Sequence, residues 1–471
     1  MLIANRLRLQ SHPKATPKLP QSFPKASPKP PQGYLKATQE NAPLVEAGGA
    51  QVSLKAGMVG ALILLACGRP SGHAREMRRN SLAFVLPILL VTGVVWPIHQ
   101  GKAAETGSAG VRKVEDLVIY KDDQFYSSFP SIVRRPNGEL LVAFRRAPER
   151  RLLGERSITH TDPNSYLMLV RSRDGGKSWS QTPELIYANP FGGSQDPCMV
   201  QLRDGSILCS SYGWALLQAD VAPKLEGAFR HGSFVFLGGY LVRSRDGGHS
   251  WQGPIFPPPT PGETIRGPYG QPVPAYNRGA MCQGKDGRLY WVVASKTSTV
   301  PGKPGTHLLV SADGGDTWAY SCLVAADEKV AFSETSLYET PKGTLVAFMR
   351  TDGFDDHTTV ARSTDHGKSF QRWEDAGFQG HPHYALRLPD QRVLLVYGYR
   401  HPPFGIRTRV LDAECTNLAS APEIVLREDG GSGDLGYPWA TMVSKHRALV
   451  VYYFNTGDGT RHIAGTLLAI D

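Results

Sequence analysis

The feature that most constrains this chain is an eight-residue pattern, S-x-D-x-G-x-[ST]-[WF], that occurs four times: SRDGGKSW from Ser172, SRDGGHSW from Ser244, SADGGDTW from Ser311 and STDHGKSF from Ser363. Each copy follows a β-rich run such as Tyr166–Val170 or His307–Val310, which places it on a turn between two strands. The chemistry of the pattern is local. Ser and Asp side chains bond turn amides, Gly takes the positive φ that other residues resist, and the aromatic residue packs beneath the turn. The role is structural rather than catalytic, and it puts Trp179, Trp251 and Trp318 in cores and Arg173 and Arg245 on exposed turns.

A second family of hairpins interleaves with the first: SIVRRPNGELLVAF, CMVQLRDGSILCSS, AMCQGKDGRLYWVV, SLYETPKGTLVAFM, YALRLPDQRVLLVY and TMVSKHRALVVYYF. Their turns fall at Gly138, Gly205, Gly287, Gly343, Gln391 and His446, flanked on both sides by apolar, β-branched and aromatic residues. Two hairpins per unit predict a four-stranded antiparallel sheet repeated six times, an all-β, six-bladed β-propeller over residues 110–471. The last two units lack a full copy of the eight-residue pattern; the fifth has the region 406–413 in its place, and the chain ends with 461–470. Closure is expected by pairing that final run with the strand at 117–120, which removes an open edge.

The formal charge of +10 does not belong to this body. Residues 1–104 carry 13 Lys/Arg against 3 Asp/Glu, leaving 39 of each sign in the rest. A basic nucleic-acid-binding face is therefore not supported. Residues 1–76, rich in Pro, Lys, Ala and Gln over the first 55, are expected to form a disordered leader or an over-extended reading frame whose true start is Met77. From Met77 a basic MRRN, the 16-residue apolar run Ser81–Trp96 and small residues near Ala103 read as a signal peptide over 77–104, or as an uncleaved signal anchor, the only membrane attachment expected. The run Met58–Cys67 also weakly resembles a lipoprotein signal. All three readings export the body. The body's five Cys (Cys198, Cys209, Cys282, Cys322, Cys415) include no C-x-x-C pair, so neither a zinc site nor a dense disulfide framework follows. Whether Cys198 and Cys209 pair across their hairpin stays open.

Equivalent hairpins give a shared register. Nine residues before each turn stand Phe129, Asp196, Arg278, Glu334, Pro382 and Tyr437; ten before stand Ser128, Gln195, Asn277, Ser333, His381 and Gly436. These positions lie where each chain segment enters its sheet near the central axis. An Asp, an Arg, a Glu and a Tyr gathered there mark a binding site, against the alternative of a wet, polar channel. His160 with Asp162, and His381 with His383, have no third ligand at a defined spacing, so no metal is expected.

The body resembles the sialidase (neuraminidase) superfamily, six-bladed propellers marked by this pattern as the Asp-box, over roughly residues 115–471. The segment from Glu334 (ETSLYETPKGTLVAFMR) to Arg350 is similar to the one that holds the family's nucleophile partner and, sixteen residues on, a substrate-binding Arg. The resemblance further implies a nucleophile at Tyr437 in Gly436-Tyr437-Pro438, a carboxylate-clamping Arg400 (Arg407 being the alternative), and an acid/base Asp162 in the loop THTDPNS. Arg278, Asp196 and His381 complete the expected substrate contacts. One motif departs from the family: its [FY]-R-I-P arginine is replaced by Ser128 in Ser127-Ser128-Phe129-Pro130, and Arg145, Arg146 or Arg278 are the alternatives for that charge.

The implied activity is a retaining exo-glycosidase acting on a terminal sialic acid or a related sugar, the identity of which this departure leaves open. A phenol is a poor nucleophile until a carboxylate takes its proton, the part assigned to Glu334. A neutral nucleophile avoids repelling an anionic sugar. Asp162 would protonate the leaving oxygen and later activate water. No cofactor is required, a glycan or glycoconjugate is the partner, and the chain is expected to be a monomer. The competing class is a non-catalytic glycan-binding propeller on the same scaffold.

Overall fold

The structure, a computed structural model, describes residues 110–155, 160–300 and 302–471. The expected leader and signal segment, 1–76 and 77–104, lie outside the described residues. Among the described residues, six antiparallel sheets follow one another as the blades of a β-propeller.

Blade 1 comprises Phe125–Arg134, Leu140–Pro148, Tyr166–Ser172 and Glu184–Tyr187; blade 2 Cys198–Gln201, Ile207–Leu216, Phe234–Ser244 and Gln252–Ile255, with Arg230–His231 added to its third strand. Blade 3 comprises Cys282–Gln283, Leu289–Ser295, Gly305–Ser311 and Ala319–Ala325; blade 4 Ala331–Glu339, Leu345–Asp352, His357–Ser363 and Glu374–Gln379. Blade 5 comprises His383–Arg387, Val393–Tyr399, Gly405–Leu411 and Glu423–Arg427. Blade 6 takes Gly436–Ser444, Arg447–Phe454 and His462–Ile470 from the end of the chain, and its fourth strand, Val111–Tyr120, from the start. In that closure Leu117 faces Gly465 and Tyr120 faces Ile463. The expected 117–120 pairing thus forms and extends further, leaving the sixth blade no unpaired edge at its third strand.

Five of the six first-hairpin turns are the same object. Backbone bonds of 2.8 to 2.9 Å close Arg135–Glu139, Leu202–Ser206, Gly284–Arg288, Thr340–Thr344 and Leu388–Arg392. Each turn places its fourth residue in the left-handed region, Gly138 at φ 88° and Gly343 at φ 90° being typical. Glycine adopts that conformation freely, whereas Gln391 at φ 76° does so against its Cβ. The sixth turn differs: Ser444 pairs directly with Arg447 across a two-residue loop.

The Ser/Asp pattern performs the local chemistry expected of it. In the first copy Ser172 Oγ accepts the Gly176 N–H at 2.8 Å and donates to Asp174, whose carboxylate also takes the N–H and hydroxyl of Ser178. The Trp179 indole donates to the Gly176 carbonyl at 3.1 Å and is buried. Asp412 keeps the remnant in blade 5, accepting the N–H and hydroxyl of Thr416.

Apolar side chains from facing blades fill every blade interface around the ring. Leu141, Leu167 and Leu169 of blade 1 meet Met199, Ile207 and Val242 of blade 2, and Trp439, Leu449 and Val451 of blade 6 meet Ile132, Leu140 and Val142 of blade 1. Each such aliphatic side chain contributes about 1.5–3 kcal/mol by leaving water. This packing makes the channel end of each first strand rigid enough to hold charges in place. Cys198, Cys209, Cys282, Cys322 and Cys415 are free thiols. Cys198 pairs with Ser210 while Cys209 pairs with Met199, so a one-residue offset turns the two sulfurs to opposite faces of the sheet.

Candidate active site

The position nine residues before the turn is a β-bulge in three blades. Register breaks between Ser128 and Ser131 in blade 1, between Ser333 and Ser336 in blade 4 and between Gly436 and Trp439 in blade 6. An extra residue at a bulge is left out of the ladder and its side chain is re-aimed. Phe129 (φ 55°), Asp196 (φ 27°) and Tyr437 (φ 53°) adopt the strained left-handed region at this position. Gly436 admits the bulge of blade 6 against blade 5: a Cβ on Gly398 would stand 3.2 Å from its Cα.

Blades 4 and 6 meet through these bulges. The Tyr437 hydroxyl donates to Glu334 Oε1 at 2.5 Å, and Arg350 Nη1 lies 2.7 Å from Glu334 Oε2 and 3.1 Å from the Tyr437 oxygen. Burial opposes the Glu334 charge, but the Arg350 charge, the bonds from Tyr437 and Arg350 and the Arg400 charge outweigh it, holding the carboxyl below its usual range. Burial, followed by the Glu334 charge, pushes the Tyr437 phenol above its usual range, against Arg350 and Arg400. In the resting state the proton therefore sits on the phenol, with a carboxylate placed to receive it.

Two further guanidinium groups border the same ring. Arg278 Cζ is 4.7 Å and Arg400 Cζ 5.0 Å from the Tyr437 ring centroid. Arg278 donates to the carbonyls of Pro130 and Tyr437, while Arg400 donates to the Leu435 carbonyl and the Tyr453 hydroxyl. Cations over the ring favour developing negative charge on the phenol. Arg407, the alternative to Arg400, is spent elsewhere: it donates to the carbonyls of Pro403 and Arg427 and lies over Tyr399.

Asp196 is buried in blade 2, with Oδ2 accepting from the Tyr212 hydroxyl at 3.1 Å and Oδ1 without a hydrogen-bond partner. Burial, helped by Glu334 and opposed by Arg278, His160 and Tyr212, raises its carboxyl to about 6. Asp162 is also buried. It holds an Asx turn through the Asn164 N–H at 2.8 Å and pairs with Arg150 Nε at 2.5 Å. Its loop is docked on blade 2: Gly193 passes so close that a Cβ there would stand 2.1 Å from the Asp162 carbonyl oxygen, and Gln195 bonds the His160 carbonyl. His381 is buried with Nδ1 3.7 Å from an Asp356 oxygen. Burial and the nearby Arg350 and Arg400 charges hold it neutral.

Thus Tyr437, Glu334, Arg350, Arg400 and Arg278 share one contiguous cluster, with Asp196 and His381 in its field. Asp162 sits beside blade 2 in an ion pair of its own. Sequence reasoning did not find Asp434. This carboxylate takes the Tyr126 hydroxyl at 2.9 Å, the Tyr453 hydroxyl at 2.9 Å, Arg461 Nε at 2.9 Å and lies 3.3 Å from a ring nitrogen of His160. It lies in the connection between blades 5 and 6, outside the repeat, where no spacing signals it.

Ionisable residues converging on the axis of six blades stapled by Ser/Asp turns define the class: a sialidase-like propeller. The BNR repeat-like domain model matches residues 232–446. A protein of unknown function from Dyadobacter fermentans is 59% identical, with 77% of this chain and 100% of that chain covered and a TM-score of 0.75. The NanB sialidase of Streptococcus pneumoniae has the same fold at 15% identity, 75% and 70% coverage and a TM-score of 0.52. An α-L-arabinanase of Penicillium chrysogenum does so at 14% identity, 76% and 98% coverage and a TM-score of 0.53. A search of curated proteins returns no match. The chain is thus a six-bladed propeller that carries a BNR repeat-like domain and has the fold of the sialidases.

Proposed function

We propose that this chain is an exported, retaining exo-glycosidase of the sialidase type that removes a terminal sialic acid or a related sugar. The observation that carries this reading is the Tyr437–Glu334 contact of 2.5 Å with Arg350 bonded to both. As Tyr437 Oη attacks the anomeric carbon, its proton passes to Glu334, and the charges of Arg350, Arg400 and Arg278 stabilise the phenolate character that develops. Asp162 serves as acid and then base: it protonates the departing glycosidic oxygen and, in the second half-reaction, takes a proton from the water that releases the sugar from Tyr437. Arg350, Arg400 and Arg278 supply donors for an acidic substituent, and Asp196 and His381 contact the ring substituents.

One observation favours a second reading, a glycan-binding propeller without turnover. Asp162 has both carboxylate oxygens engaged, by Arg150 and by the Asn164 N–H. Turnover on the glycosidase reading requires Arg150 to yield Asp162 when substrate enters. Trapping with fluorinated glycosyl reagents followed by mass spectrometry separates the two. A sugar adduct on Tyr437 is the expected result; failure to hydrolyse or be labelled by any of a broad panel of aryl glycosides and fluorosugars supports the binding module.

A further inference from the structure

The most exposed aromatic side chains among the described residues, Tyr269 at 83%, Phe256 at 64% and Phe191 at 63%, line one cavity of about 600 Å³. They arrive on three separate connections. Phe191 leads from blade 1 into blade 2, Phe256 follows the last strand of blade 2, and Tyr269 belongs to the link from blade 2 to blade 3. Leu216, Pro272 and Pro274 add to the wall. Single exposed apolar residues are ordinary, but three rings gathered on one concave surface mark a binding site.

The rings sit on fixed backbone. Tyr269 stands at the tip of a turn in which the Gly267 N–H donates to the Gln271 carbonyl at 2.8 Å and the Gly270 N–H to the Gly267 carbonyl at 3.0 Å, while its own N–H donates to Gln271 Oε1 at 3.1 Å. The Phe191 N–H donates to Asn189 Oδ1 at 3.0 Å, and its carbonyl accepts the Leu216 N–H at 3.2 Å. Asn189 and Gln271 are the two side-chain amides of the wall, and these bonds occupy their oxygens. Hydroxyl groups of a second sugar would therefore meet few acceptors, whereas a flat apolar group would find ring faces on several sides.

The cavity adjoins the proposed acid. Phe191 is two residues from Gly193, a span of at most about 7 Å. Gly193 is the residue packed against the Asp162 carbonyl, and its own carbonyl accepts the Trp214 N–H at 2.9 Å, which ties this strip to the second strand of blade 2. An acid must reach the bond between sugar and aglycone, so a leaving group protonated by Asp162 lies on that side of the site.

We propose that this cavity is the aglycone site and that it takes an aromatic group, so that the substrate is the glycoside of an aromatic aglycone. The assignment rests on the glycosidase reading with Asp162 as acid.

Fluorescence titration of the full chain with 2-naphthol tests the cavity without requiring turnover. Saturable one-to-one binding is expected, weakened roughly tenfold or more in the double variant Phe256→Ala/Tyr269→Ala, whose two positions are exposed and outside the core. The 2-naphthyl and phenyl glycosides of the sugar that labels Tyr437 supply the second measurement, their leaving phenols being of similar acidity. For these, kcat/KM should favour the naphthyl substrate in the unsubstituted protein, and the double variant should erase the preference. Absence of 2-naphthol binding or of the naphthyl preference, or survival of either in the double variant, overturns the proposal. So does dimerisation in analytical ultracentrifugation, or co-sedimentation with phosphatidylcholine vesicles, that depends on the two rings while 2-naphthol does not bind, since the surface then belongs to a second copy or to a bilayer. If 2-naphthol binding follows the rings but no sugar labels Tyr437 and no aryl glycoside is hydrolysed, the glycosidase reading falls and takes the aglycone role with it, leaving a site for aromatic ligands.

Discussion

Tyr437 and Glu334 stand 103 residues apart in the chain and share a hydrogen bond of 2.5 Å. They come from blades 6 and 4, so no local element sets the contact. It depends on two independent bulges and on the ring of blade interfaces that fixes the distance between them. A phenol held above its usual range beside a carboxylate held below it keeps the proton on Tyr437 at rest, so transfer to Glu334 has to accompany bond formation by the phenol oxygen, and Arg350 touches both partners.

Removing either partner should sharply lower hydrolysis while leaving the propeller folded. Tyr437→Phe keeps the ring that packs on Phe129 at 4.7 Å and on Tyr453 at 5.8 Å, so its Tm should move by only a few degrees. Glu334→Gln should lower kcat by about a hundred- to ten-thousandfold, the range for loss of a general base. Aryl glycoside kinetics with circular dichroism melts check both; unchanged rates would reject the assignment.

The blades were legible in the sequence because turn chemistry repeats where side-chain identity does not have to. Gly138, Gly205, Gly287 and Gly343 announce one turn type, and counting back nine residues from them reaches Phe129, Asp196, Arg278 and Glu334; the same count from His446 reaches Tyr437. The bulges were not legible. Strand periodicity has no symbol for an unpaired residue, and in an unbroken ladder Ser128 would face Arg146, not Arg145. Asp434 and the docking of the Asp162 loop on Gly193 were hidden for a related reason. Both depend on connections between or within blades that carry no repeat, so only the assembled fold brings them to the channel.

Asp196 should make the protein less stable as pH rises. Its carboxyl titrates near 6 in the folded chain against 3.8 for the free group, so the folded state binds the proton more tightly. Its contribution is fully present below pH 3.8 and is lost as pH rises through 6, a cost of about 3 kcal/mol at pH 8. Asp196→Asn, which needs no deprotonation, should be more stable than the parent by about 2–3 kcal/mol at pH 8 and equal to it at pH 4. Urea unfolding at the two pH values measures this, and a gain that does not change with pH would contradict it. Activity should fall in the same variant, because the charge that destabilises the fold faces the site.

Asp434 links the fold to the site. It holds Tyr453, which accepts from Arg400, and Arg400 lies over the Tyr437 ring. Asp434→Ala strands Arg461, only 9% exposed, without its carboxylate. The expected loss is roughly 2–3 kcal/mol, below the value for a fully buried pair because Asp434 itself is 22% exposed. Asp434→Asn should recover part of the stability, since an amide still accepts from Tyr126. Thermal melts rank the three proteins, and a parent-like Tm for Asp434→Ala would remove the residue from this role.

The Ser/Asp turns should govern acid stability without touching turnover. In each copy a carboxylate, Asp174, Asp246, Asp313 or Asp365, accepts from the hydroxyl and N–H of the residue four on, and its carboxyl is held below the usual range. For Asp246 the chief cause is the Ser250 hydroxyl, followed by the Ser250 N–H. A depressed folded value means that the contribution is present above the unfolded value near 4 and is lost as pH falls toward the folded one. Stability should therefore decline below pH 4, and less steeply in Asp246→Asn, whose Tm at pH 7 is already lower. These turns follow the third strand of each blade, at the end of the sheet away from the ring residues that open the first strand. Accordingly kcat/KM for Asp246→Asn at 25 °C should match the parent's, and a substantial fall in activity at full folding would show that the turns reach the channel after all.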